Sequence, residues 1–576
     1  MPLFQTLRPA ALAVALTSVL ALTPQSGQAQ GEAGAFLAAR QASLMSDYAA
    51  SIPYLARLYT IDPQNPGTLE ALVVAAFSVG QSDLARDRAE DLYALDPLNR
   101  AAAMVLLSQA FLEGDYARAQ QIASSDAPIH PLIAGLAQAW AHLGEGRMSE
   151  ALDVLDRVAA LDGMAPFANY CRAMALALVG DIEGAVAVLE DPEASVAAGL
   201  NRRGFVAYAQ LLGQADRFDD ALALIDTVFL GNADPKVERM RAAFEAGEAL
   251  PFDVVSSPAE GMAEVFSVMA GAMNSSQNPV EALIYAQAAV LVNPRLTDSQ
   301  LLIGQVFEQL EQPQMAAEAY AAIPADDVFG NAARMGRAQV LESLGRMDEA
   351  LADLTQMAAD HPESYAAHSV LGDFLRRDGQ AEAAAQAYTE AMAILTAQGL
   401  QPDWQLWFSR AVAHERAGNW DGAEADFRAA LAIVPDQPTV LNYLGYSLIE
   451  RGEKLDEAME MIERAVAGDP DSGYILDSLA WALYRLGRYD EAVPHMERAV
   501  EMAAVDPILN DHLGDVYWAV GRLREARFQW RRALSFAPAD DLDEERLRRK
   551  LEVGLDVVRS EAGEPPLHPD AESPTQ

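Results

Sequence analysis

Cysteine is almost absent from this chain: Cys171 stands alone among 576 residues, so no intramolecular disulfide can form. It sits in Tyr170-Cys171-Arg172-Ala173-Met174, a helical apolar context in which it reads as a small buried hydrophobe. Positive charge is scarce as well. Forty-one Lys and Arg face 84 Asp and Glu, a net charge of -43, and only Lys236, Lys454 and Lys550 are lysines. Such a field repels nucleic acid and anionic lipid and keeps a long particle in solution. Long apolar runs are missing too. The one such stretch, Ala10 to Leu22, is shorter than the roughly 20 residues that span a bilayer, so no integral membrane span is expected in the mature chain. Catalytic constellations are also missing. The eight histidines are scattered, His414-Glu415 lacks the second His of a zinc-protease helix, and His495 and His512 have no partner set. There is no phosphate-binding Gly-rich loop and no Gly-x-Ser-x-Gly elbow. An enzyme is therefore the weakest class of reading, and no metal or cofactor is expected.

What the chain does have is a repeat, least disguised between Thr439 and Pro538. Leu444-Gly445, Leu479-Ala480 and Leu513-Gly514 line up, followed by Ala458, Ala492 and Ala526, then by Ala465, Ala499 and Ala533. The last two sets recur every 34 residues, a period that marks helix pairs stacked into an array. Within one unit, Leu513, Gly514 and Tyr517 share a face of a first helix, while Ala526, Trp530 and Ala533 form the facing stripe of a second. Gly514 and Ala526 are small enough to let the helices approach, and Tyr517 and Trp530 fill the space beside them. Gly521-Arg522 carries the turn and Pro538 ends the unit. One helix pair cannot bury its stripe alone, so the units must stack.

The same ruler runs backwards through Ala411, Gly372, Ala338, Gly304 and Ala270, with a short insertion at Thr396 to Asp403. Upstream of Ala263 it degrades. The spacing predicts a divergent sub-array over 30–230, an irregular connector over 231–262 containing Pro251 and Ser256-Ser257-Pro258, and a regular array over 263–540, roughly 13 units in all. Leu547, Leu551, Leu555 and Val558 predict one capping helix over 541–559, with a disordered Pro/Glu-rich tail over 560–576. Residues 1–29 read as a secretory signal: Arg8, the apolar run, then Gly27-Gln28-Ala29 as a cleavage site. The expectation is a periplasmic chain cut after Ala29. With no cysteine at that site, it is not an N-terminal lipoprotein.

These spacings resemble the tetratricopeptide repeat (TPR). The resemblance implies an all-α TPR solenoid, a right-handed superhelix whose first helices line an inner, concave wall. It also implies which positions face that wall: Asn442, Tyr446, Tyr474, Asp477, Trp481, Tyr484, Asp511, Asp515 and Trp518. Aromatics interspersed with acids and amides suit an extended peptide, although Tyr446 and Trp481 equally fit packing between units. Trp407, Trp530 and Phe427 read as core. Arg524, Arg527 and Arg531 share a helix face, either a solvated face paired with the acids of 540–545 or a partner patch on the outside.

The runs Leu441-Asn442-Tyr443-Leu444-Gly445-Tyr446, Ile475 to Trp481, and His512 to Asp515 with Trp518 are similar to the C-terminal units of long bacterial envelope TPR proteins. That group includes the adaptor lipoprotein of a carboxy-terminal processing protease. The resemblance implies a scaffold that gathers other envelope proteins, such as that protease and cell-wall hydrolases. A scaffold for envelope polysaccharide export or outer-membrane assembly is the alternative.

Overall fold

The computed structural model describes residues 31–124, 129–191, 200–229, 235–538 and 542–568. The expected signal segment, Asp540 and Asp541, and the tail beyond His568 lie outside the described residues. Among those described there are 31 helices and no strand. Most helices pair with the next in sequence, as in Pro438–Arg451 with Leu455–Gly468 and Pro507–Ala519 with Leu523–Ser535.

Local chemistry explains the hairpins. First helices open on side-chain caps: Ser472 accepts from the Ile475 amide, and Asp506 from the amides of Ile508 and Leu509. The turn inside each hairpin needs a left-handed residue, supplied by Gly452, Gly487 and Gly521 at φ 68°, 74° and 78°. In several N-terminal hairpins Ser46, Asp216, Gln277 and Glu311 hold that conformation instead, which costs an L side chain about 1–2 kcal/mol. The small positions are as tight as their spacing implies. Ala458, Ala492 and Ala526 are fully buried, and a Cβ on Gly514 would run into the Trp530 indole.

The contacts divide the chain into two compact units, one ending at Asp353 and the other beginning at Leu354. This boundary is not the connector read from the sequence. The stretch 231–262 holds a helix, Pro235–Glu245, and the start of Pro258–Ser275, with 246–257 irregular between them; 231–234 lie outside the described residues. Helices Pro258–Ser275 and Pro279–Val292 belong to the first unit because they are apolar on more than one side. Every residue from Gly261 to Phe266 is buried, which no single helix face can achieve. Pro258–Ser275 packs on Pro131–Gly144, Arg100–Glu113 and Ala165–Leu178, with Gly261 flush against Trp140. Pro279–Val292 packs on Arg100–Glu113 and Pro66–Ser78; Gln287 Nε2 donates to the Ser78 carbonyl at 2.9 Å, and Arg100 pairs with Glu281 at 2.7 Å. Further along, Gln312 Nε2 donates to the Met45 carbonyl at 2.9 Å. The first unit thus fills its own interior.

The second unit is a plain stack, with an end that differs from the single cap expected. Two helices, Glu544–Val553 and Leu555–Glu561, break at Gly554, whose φ of 84° no branched residue would accept and where a Cβ would run into the Trp518 ring. Residues 562–568 are ordered by the fold rather than free: the amides of Leu567 and His568 donate to Asp556 Oδ1, and the Pro565 carbonyl accepts from Arg559.

Candidate functional site

In the second unit, first helices of successive hairpins leave an open groove of about 620 Å³. Helix periodicity sets its walls. Asn442, Tyr446 and Glu450 stand at i, i+4 and i+8 of Pro438–Arg451; Tyr474, Asp477 and Ser478 come from Gly473–Arg485; Ile508 and His512 from Pro507–Ala519. Glu415, Arg416 and Trp420 close the near end. Of the residues expected on the concave wall, Asn442, Tyr446, Tyr474 and Asp477 line the groove. Tyr474 is its most exposed ring, at 61%, and the neighbouring Asp506 carboxylate raises its pKa.

Two groove atoms lack a hydrogen-bond partner among the described residues although both are buried: the Asn442 side-chain oxygen and the Trp420 indole nitrogen. One is an acceptor and the other a donor, and neither has surface open to the groove. Burial raises the pKa of Glu415, against the hydrogen bond it accepts from the Ser447 hydroxyl.

Trp481 lies beside the groove rather than in it. Its ring is stacked between Tyr484 (4.8 Å between centroids) and His512 (4.0 Å), and its indole donates to Glu450 at 2.6 Å. His512 Nδ1 meets Asp477 at 2.9 Å. Burial alone would lower the His512 pKa, but Asp477, with Asp511 and Asp515 nearby, holds it above the usual value.

The remaining expected residues are committed to the cap. Trp518 is buried and donates to Asp556 at 2.8 Å; the Tyr484 hydroxyl, also buried, lies 3.5 Å from Arg559 Nη1. Asp511 and Asp515 both pair with Lys550 at 2.8 Å, and Asp515 further accepts from the Trp530 indole at 2.9 Å. The capping helices therefore end the groove at His512. They could not be foreseen there, because the repeat period says nothing about where a segment outside it docks.

On the outer face, Arg524 and Arg531 are exposed, whereas Arg527 turns toward the Trp518 ring, 5.4 Å from its centroid, so the three do not form one patch. Sequence reasoning passed over Glu415, Trp420, Asp506 and His512. A usable signal existed for His512, which follows Asp477 by 35 residues, one more than the repeat period, and so sits beside it on the next first helix.

Among the described residues no cluster of three or more His, Cys, Asp and Glu is placed to hold a metal ion, and no helix is long and apolar enough to cross a membrane. Cys171 is buried, and burial pushes its thiol up to about 12, so it carries no thiolate chemistry.

Fold and groove together define a tetratricopeptide-repeat α-solenoid. Profiles described as tetratricopeptide repeat match residues 166–191, 301–359 with 335–394, and 389–535. Among curated proteins, the TPR repeat-containing protein PA4667 of Pseudomonas aeruginosa is 31% identical over 189 residues, 32% of this chain. The chain spans about a third of that relative's length, 31%. Among solved structures, yeast Tom70 aligns at 13% identity and a TM-score of 0.35, over 92% of this chain and 99% of that one. The Cut9–Hcn1 hetero-tetramer of the APC/C aligns at 14% identity and a TM-score of 0.35, over 94% and 99%.

Proposed function

We propose that the groove between Glu415 and His512 holds an extended segment of a partner protein, and that this chain is a non-catalytic adaptor. The observation that carries the reading is one open groove that sets the rings of Tyr446 and Tyr474 beside the polar side chains of Asn442 and Ser478. Backbone groups of a bound strand would pair with the groove's polar side chains, and the rings would supply apolar area at low entropy cost.

The wider setting belongs to the same proposal. The Ala10–Leu22 run followed by Gly27-Gln28-Ala29 supports export with cleavage after Ala29, and N-terminal sequencing from an envelope fraction should read from Gln30. An intact Met1 terminus in the cytosol would refute export. The likeness of 441–446, 475–481 and 512–518 to envelope adaptor units supports partners among envelope proteins, with presentation of substrates to a protease as the specific role. Co-purification with a carboxy-terminal processing protease supports that role; co-purification with polysaccharide-export or outer-membrane assembly proteins replaces it.

The groove itself is tested by Asn442→Ala with Tyr474→Ala against whatever partner co-purifies. Anchors of this kind contribute about 2 kcal/mol each, so the double variant should weaken binding by about three decades where the losses add. Retention of binding by that variant, with loss in Arg524→Ala/Arg531→Ala, would move the site to the outer face.

A further inference from the structure

The first and last described helices are finished differently. The C-terminal end is closed by Glu544–Val553 and Leu555–Glu561, which bring Glu544, Arg548 and Arg549 to the surface in ion pairs. The first described helix, Glu32–Leu44, buries Ala35 and Ala39 against its neighbour and turns large apolar side chains outward. Phe36 is 52% exposed, Leu37 63%, Leu44 71% and Met45, just past the helix, 58%. Such a run of exposed apolar side chains on one helix marks an interaction surface.

Charge identifies what covers it. From Gly31 to Ile61 the only charged residues are Glu32, Arg40, Asp47 and Arg57, a net charge of zero in a chain that carries -43 overall. Two copies of so acidic a chain repel each other over most of their surface, and this neutral face is where they can meet. The face is also complementary to itself. Glu32, Phe36 and Arg40 stand at i, i+4 and i+8 on one stripe. When two such helices cross antiparallel about a twofold axis at Phe36, Glu32 of each copy faces Arg40 of the other, on both sides of the axis. A head-to-tail assembly would instead need this apolar face to meet the charged cap at the opposite end, which offers it no complement.

We propose that the outer face of Glu32–Leu44 is an isologous interface between two copies of this chain, with Phe36 at its centre and Leu37, Leu44 and Met45 beside it. Sedimentation velocity of the full chain across a dilution series should show a species of twice the single-chain mass that dissociates on dilution. Phe36→Glu with Leu44→Glu should raise the dimer dissociation constant by about three decades or more, since each substitution appears in both copies. Both side chains are solvent-exposed in the single chain, so circular dichroism should be unchanged. The register has its own test: Glu32→Arg alone should weaken the dimer by setting it against Arg40 of the other copy, and adding Arg40→Glu should restore it. A single-chain mass at every concentration overturns the proposal. So does a dimer that survives Phe36→Glu/Leu44→Glu, or a charge reversal that fails to rescue.

Discussion

Removing the Lys550 charge should undo the C-terminal cap. The Lys550 side chain is 1% exposed; its Nζ lies 2.8 Å from both Asp511 and Asp515, and 5.9 Å from the centroid of the Trp530 ring. Burial alone would lower the lysine pKa, but the two carboxylates more than offset this and hold it above the usual value. Burial pushes the Asp515 carboxyl up, against the pull of Lys550, because two acids share one cation. Lys550→Met keeps the apolar stem and deletes only the charge, leaving two carboxylates in a closed space. Breaking a buried pair in this way costs about 3–5 kcal/mol. Lys550→Met with Asp511→Asn and Asp515→Asn should recover most of that loss, since the neutral set leaves no unpaired charge and residue 515 still accepts from the Trp530 indole. The raised lysine pKa fixes the pH behaviour. The stabilisation is fully present below about pH 10, near the unfolded lysine pKa, and is lost as pH rises through the folded one. Native-state hydrogen exchange over 507–561 reads the local free energy directly, because the last hairpin and its cap can open without the rest of the stack. A loss below about 1 kcal/mol in the single variant, or a triple variant as unstable as the single, would refute the reasoning.

Two further outcomes follow from groups already described. Because Asp477 raises the His512 pKa in the folded chain, their pairing is fully present below about pH 6.5 and lost as pH rises through the folded pKa; urea midpoints of the second unit should fall over that interval, and His512→Gln should flatten the profile. Gln277 occupies a left-handed turn position at φ 58°, so Gln277→Gly should stabilise the first unit by about 0.5–1 kcal/mol after the added chain entropy is subtracted, and an unchanged or lower denaturation midpoint would count against the strain.

The array was legible because its determinants are local. Ala458, Ala492 and Ala526 recur at the helix crossing, and the structure places all three at zero exposure, where only a methyl group fits. The groove was legible as far as it depends on helix faces: Asn442, Tyr446, Tyr474 and Asp477 lie where their register puts them. Trp518 and Asp515 have the same register, but what they face is decided by the capping helices, which obey no repeat. The helices at 258–292 hid their role for a related reason. Ala270 and Ala282 fit the ruler as well as any other unit, and a period describes neighbours along the chain rather than a partner two hundred residues away. Their burial on several sides was the one available sign.

The self-filled interior of the first unit has a consequence in time. Ser78 and Gln287 touch although 209 residues separate them, and Gln312 reaches Met45 across 267. A stack of repeats can fold as it is made, each hairpin settling on the one before. Here the hairpins near Ser78 emerge long before the helices that fill them. At about 5–20 residues per second the wait is roughly 10–40 s, during which apolar walls stand open. The second unit, whose longest side-chain contact joins Tyr484 to Arg559 across 75 residues, has a much shorter delay. A newly made chain is therefore most exposed to aggregation in its first half, and that half is where a chaperone would be needed.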